Sequence, residues 1–179
     1  QQTTYCTDTN NTCFPSTIGT SVLVSCTSGN NCQTYVRYRS KDNVENSEAI
    51  KSALVRIDKQ APSTTDNAPS AWQANDVTVT LTPTDSGSGV QQTTYCTDSA
   101  NSCTPATVGT SVSVSCAAGQ VCQTYVRYRS KDNVNNEETI KSSLVRIDKQ
   151  APTGGSITYP NGNTTTPISV SFVNGDDGA

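Results

Sequence analysis

Cys6, Cys13, Cys26 and Cys32 recur as Cys96, Cys103, Cys116 and Cys122, an even set at constant positions in a polar, turn-rich sequence. Residues of this type either ligate a metal as thiolates or close disulfides. Zinc sites usually carry a Cys-x2-4-Cys knuckle and often histidine, whereas here the gaps are six and five residues and the chain has no histidine. Disulfides are therefore expected. Four cysteines per repeat allow three pairings. The segments Thr-Asp-Thr-Asn-Asn-Thr and Thr-Ser-Gly-Asn-Asn between the cysteines look like turns that fold back, which favours local closure. The expected bonds are Cys6–Cys13, Cys26–Cys32, Cys96–Cys103 and Cys116–Cys122, and they imply an oxidising, extracytoplasmic setting.

Other candidate chemistry is sparser. The turn Asp85-Ser86-Gly87-Ser88-Gly89, with Asp132 and Asn133 at another loop, could offer oxygens to calcium; an ordinary turn is the plainer reading, because hard cations need six or more oxygens. No other cofactor is expected. Asn10 and Asn163 begin Asn-x-Thr acceptor patterns for N-glycosylation, and Ala100 stands opposite Asn10 in the other copy. Arg37, Arg39 and Lys41, repeated as Arg127, Arg129 and Lys131, form a basic row beside Tyr35 and Tyr125. This row would be either a glycan-binding stripe or a solvated strand face paired to acidic residues, the second being favoured. The single tryptophan, Trp72, is assigned to core or inter-module packing. Without histidine, an activated-serine motif or a phosphate-binding loop, only carboxylates in turns could catalyse, so no enzymatic activity is expected.

Composition sets the limits within which these residues act. Hydrophobic residues are 32% of the 179, aromatics 6% and charges 15%, thin material for a core and a reason to staple it. A net charge of -3 argues against nucleic-acid binding, which needs clustered Lys and Arg. No run approaches the roughly 18 apolar residues of a membrane-spanning helix. No signal peptide opens the segment, so for a secreted protein the signal would lie upstream.

The elements that position these residues come from a tandem repeat. Residues 1–62 return as 91–152, identical at 47 of 62 positions at an offset of 90. The period inside each copy is two. In Asp76-Val77-Thr78-Val79-Thr80-Leu81-Thr82 apolar residues alternate with threonine, as in a strand with one buried face. Further strands are expected at 91–96, at 110–116 with Val112 and Val114 inward, and at 122–130 with Cys122, Thr124, Val126 and Tyr128 on one face. A last strand at 144–148 turns Val145 and Ile147 inward. Between copies Val22 and Val24 match Val112 and Val114, while Leu23 becomes Ser113, as an outward position allows. Many short strands with regular turns and no helix signal predict an all-β chain of antiparallel β-sandwiches.

The stretch Tyr-Val-Arg-Tyr-Arg-Ser-Lys-Asp-Asn-Val-Glu-Asn at 35–46, followed by Arg56-Ile57-Asp58-Lys59-Gln60-Ala61-Pro62, resembles the Ig-like repeat modules of bacterial and archaeal surface proteins. The resemblance covers essentially the whole chain, twice. It implies tandem Ig-like, fibronectin-III-like sandwiches at a cell surface, to which the paired cysteines are an addition. Stalks, spacers, adhesin arms and accessory domains all use such modules.

The phase of the repeat then divides the chain. Residues 1–60 carry the C-terminal strands of a first module, 61–150 a complete module, and 151–179 the opening strands of a third. Ile168, Val170 and Phe172 align with the Val77–Leu81 strand, and Gly175-Asp176-Asp177-Gly178 aligns with the Asp85 turn. The tail supplies what the head lacks, so Ile168, Val170 and Phe172 are expected to complete a neighbouring 1–60 segment. Ala179 would then lie about two residues short of the next Gln1. The expected partners are further copies or adjacent repeats, head to tail, and the expected role is a segment of an extracellular filament or surface stalk. The alternative is an adhesin or carbohydrate-binding arm that presents the Tyr/Arg face to surface glycans.

Overall fold

The computed structural model describes residues 1–159 and 161–176, and among these the chain is all-β. The expected Asp177–Gly178 turn and the approach of Ala179 to a following Gln1 lie outside the described residues. In chain order the strands are β1 (Gln2–Asp8), β2 (Thr17–Ile18), β3 (Asn31–Lys41), β4 (Lys51–Asp58), β5 (Ser63–Asp66), β6 (Val77–Thr84) and β7 (Val90–Asp98). They continue as β8 (Thr107–Val108), β9 (Ser111–Val114), β10 (Val121–Asp132), β11 (Lys141–Asp148), β12 (Ser156–Thr158) and β13 (Ser171–Val173).

The repeat in sequence is a repeat in pairing. One sheet has the order β2-β1-β3-β4, and its copy has β8-β7-β10-β11. Registers match at the offset of 90: Cys32 faces Ile57 as Cys122 faces Ile147, and Tyr38 faces Lys51 as Tyr128 faces Lys141. A three-stranded sheet, β5-β6-β9, and a two-stranded sheet, β12-β13, complete the described strands.

The chain divides into two compact units. One comprises residues 1–64, 83–93 and 130–139; the other comprises 65–82, 94–129 and the chain from 140 onward. In the second unit alternation does what the sequence predicts. Val79 and Leu81 of β6, Val112 and Val114 of β9, Val126 and Tyr128 of β10, and Val145 and Ile147 of β11 form one buried cluster. The threonines and serines between them on β6 and β9 stay exposed.

The first unit is held differently, by a buried polar network. Glu138 accepts the backbone N–H groups of Ser130 (2.8 Å) and Thr64 (3.0 Å) and the Thr64 hydroxyl. The Thr93 and Ser130 hydroxyls are paired at 2.7 Å. A buried carboxylate is tolerable only when its oxygens are met in this way.

One strand pattern of the sequence forms no strand and another forms a shortened one. Residues 21–24 carry the pattern of β9 but form no strand. β9 is a strand because Val112 and Val114 pair with Val79 and Val77 of β6, and alternation without a partner makes no ladder. Likewise, of the expected strand at 168–172 only the end joins β13, since the pairing with β12 spans just three residues. Leu23 points outward as its replacement by Ser113 indicates, and is 91% exposed.

Candidate functional site

All eight cysteines are paired locally: Cys6–Cys13, Cys26–Cys32, Cys96–Cys103 and Cys116–Cys122. Turn chemistry explains why the first bond of each copy can close. The Asp8 carboxylate gathers the amides of Asn11, Thr12 and Cys13, folding the loop back over the end of β1. Asp98 repeats this with the amides of Ser102 and Cys103. The Thr12 amide holds the Asp8 carboxyl below its usual range, and the Ser102 amide does the same for Asp98. Asn11 and Asn101 take left-handed backbone (φ 60° and 55°), a conformation asparagine tolerates better than most residues.

The basic row is turned to these loops. Arg37 Nη1 donates to the Cys13 carbonyl and Arg127 Nη1 to the Cys103 carbonyl, each at 2.8 Å. Arg39 lies over the Phe14 ring, 4.5 Å from its centroid, and Lys41 pairs with Glu45. Of the row singled out as a ligand stripe, Arg37 and Arg127 thus brace the first disulfide loop of each copy, and Arg39 packs on the residue after Cys13. Asn10 and Asn163 are exposed. Trp72 is 39% exposed, which removes it from the core.

The two copies differ most where β6 is concerned. In the second unit the Leu81 amide donates to the Thr110 carbonyl at 2.8 Å, and the Leu81 side chain is buried with Val112, Val126 and Tyr128. In the first unit the equivalent place is a cavity of about 260 Å³, lined by Thr3, Tyr5, Thr20, Val22, Val36 and Tyr38 among others. Tyr38 is 37% exposed, against 3% for Tyr128. Ile168, Val170 and Phe172, the residues expected to complete such a face, are also exposed, Phe172 by 74%.

A second arrangement lies within the first unit. Asp58 ends β4, Asp85 follows β6 and Asp132 ends β10, and one carboxylate oxygen of each lies within 4.8 Å of the others. The sequence singled out Asp85 and Asp132 but not Asp58, because nothing local connects positions so far apart. Asp132 is fully buried and accepts the amides of Val134 and Asn136 and the Asn136 side chain. Asp58 accepts the amides of Gln60 and Ser88, and the Gln60 amide holds its carboxyl below the usual range. Gly87 is required here, since a Cβ would collide with the Asp58 carboxylate. Comparison with protein-family models and with curated proteins gives no match to this chain.

Proposed function

We propose that this chain is a structural segment of an extracellular filament or surface stalk built from concatenated Ig-like β-sandwich modules, each stapled by two local disulfides. One observation carries the reading: the apolar face of the first copy is open where the second copy seats Leu81. Soluble β-proteins cover such faces, because unpaired strand and wet apolar surface invite association. The occupant that fits is the opening element of a neighbouring copy, with Val170 taking the place of Val79 and Phe172 that of Leu81. Joined head to tail, covalently or between separate chains, each copy completes the next, and a rotation that does not close gives a fibre. Four disulfides and the absence of a long apolar helix among the described residues are consistent with an oxidising, extracellular place.

Sedimentation of the purified chain over a concentration series tests this. Association that grows with concentration and is lost in both Val170→Asp and Phe172→Asp is the expected result. A monomer indifferent to both substitutions overturns the proposal.

A further inference from the structure

Three carboxylates converge in the Asp58, Asp85 and Asp132 cluster, and among the described residues no lysine or arginine is paired with any of them. The donors that reach the cluster are neutral. Asp85 Oδ1 takes the Gly87 and Gly89 amides at 3.1 and 2.7 Å, completing the set already given for Asp58 and Asp132. Neutral N–H groups relieve desolvation but leave the mutual repulsion of three like charges, one of them, Asp132, fully buried and the other two half-buried.

A second, independent observation points to what is missing. Asp85 Oδ2 is shut off from solvent and has no hydrogen-bond partner. Ser88 stands beside the cluster: its amide is 2.6 Å from Asp58 Oδ2, and its buried hydroxyl is turned to the same carboxylate. A charged oxygen buried without a partner is costly; Asp98 Oδ1 shares that state, but only Asp85 Oδ2 has it beside two further carboxylates. Since Oδ1 of Asp85 is taken by two amides, Oδ2 is the oxygen left for a ligand.

We propose that Asp58, Asp85 and Asp132 bind one calcium ion, with Ser88 as a neutral oxygen ligand. The donor set is all oxygen, without histidine or thiolate, which suits a hard cation over zinc or copper. Its ligands come from three separate strand ends, an irregular geometry that calcium accepts and magnesium, with its octahedral demand, resists. The ion would tie the end of β4 in the first copy to two turns of the second. The chain carries its own control. Asp42 makes the same turn as Asp132, accepting the Val44 and Asn46 amides, yet it is exposed and belongs to no carboxylate group among the described residues.

Calorimetric titration of calcium into the whole chain, stripped with chelator, tests the assignment, with terbium luminescence as a second readout. One ion per chain is expected, with a dissociation constant on the order of 10⁻⁴ to 10⁻³ M or tighter, as in extracellular modules. Asp85→Asn keeps the amide acceptor but removes the charge, and should weaken binding at least tenfold; Asp42→Asn should leave it unchanged. Magnesium should bind at least tenfold more weakly than calcium. Should Asp85→Asn fail to fold by circular dichroism, Asp58→Asn serves in its place. Absence of saturable binding at millimolar calcium, equal affinity in the Asp85 or Asp58 variant, or equal affinity for magnesium overturns the proposal.

Discussion

Glu138 and Glu48 occupy the same position in the two copies, and replacing each by alanine should have very different consequences. Both accept the amide eight residues earlier at 2.8 Å, Ser130 N–H for Glu138 and Ser40 N–H for Glu48. They part in what else they hold. Glu138 is 8% exposed and also takes the Thr64 amide and hydroxyl from β5. Glu48 turns its other oxygen to Lys51, and that contact is the first cause of its lowered pKa. Glu138→Ala therefore orphans two buried amides at about 1–3 kcal/mol each, a loss of about 4 kcal/mol. Glu48→Ala breaks an exposed pair with Lys51 and frees one half-buried amide, that of Ser40, where Glu138→Ala frees two buried ones, so its effect should be smaller. Urea unfolding followed by far-ultraviolet circular dichroism measures both. Equal losses in the two variants, or a Glu138→Ala loss below about 1 kcal/mol, would refute the argument that β5 and the buried network hold this unit.

Three further outcomes follow from the same structure. Replacing Cys96 and Cys103 together by serine opens a local loop and should cost about 2.5 kcal/mol on the chain-entropy account, read by denaturant midpoint. Burial raises the Asp66 carboxyl, but hydrogen bonds from the Tyr128 and Ser143 hydroxyls and the Ala68 amide outweigh it and lower the pKa from 3.8. A depressed folded pKa contributes stability above the unfolded value that is lost as pH falls through the folded one. Asp66→Asn should accordingly be less stable than wild type at pH 7 by thermal melting, with the gap narrowing below about pH 4. Glu45 holds left-handed backbone (φ 75°) where the other copy has Asn135 (φ 72°). Glu45→Asn should stabilise by roughly 0.5–1 kcal/mol in the same melts, since the exposed Lys41 pair it gives up is worth little.

The sequence made legible whatever rests on short range. Turn residues between cysteines identified the disulfide partners, and period-two alternation identified β6, β10 and β11 with the inward Val79, Val126, Val145 and Ile147. Comparison of copies oriented Leu23. What stayed hidden depends on contacts between distant segments. Asp58 joins Asp85 and Asp132 only because β4, the turn after β6 and the end of β10 converge, and Glu138 meets Thr64 from 74 positions away. Residues 21–24 illustrate the reverse: the pattern of a strand was present, but a ladder needs a second strand, and its partner in the other copy is β6.

Electron cryomicroscopy of the assembled chain tests the central claim most directly. The account predicts linear or helical fibres in which a strand carrying Val170 and Phe172 fills the cavity beside Val22, Val36 and Tyr38 and pairs along residues 21–24 as β6 pairs with β9. Discrete particles, or fibres in which that face stays open to solvent, would contradict it.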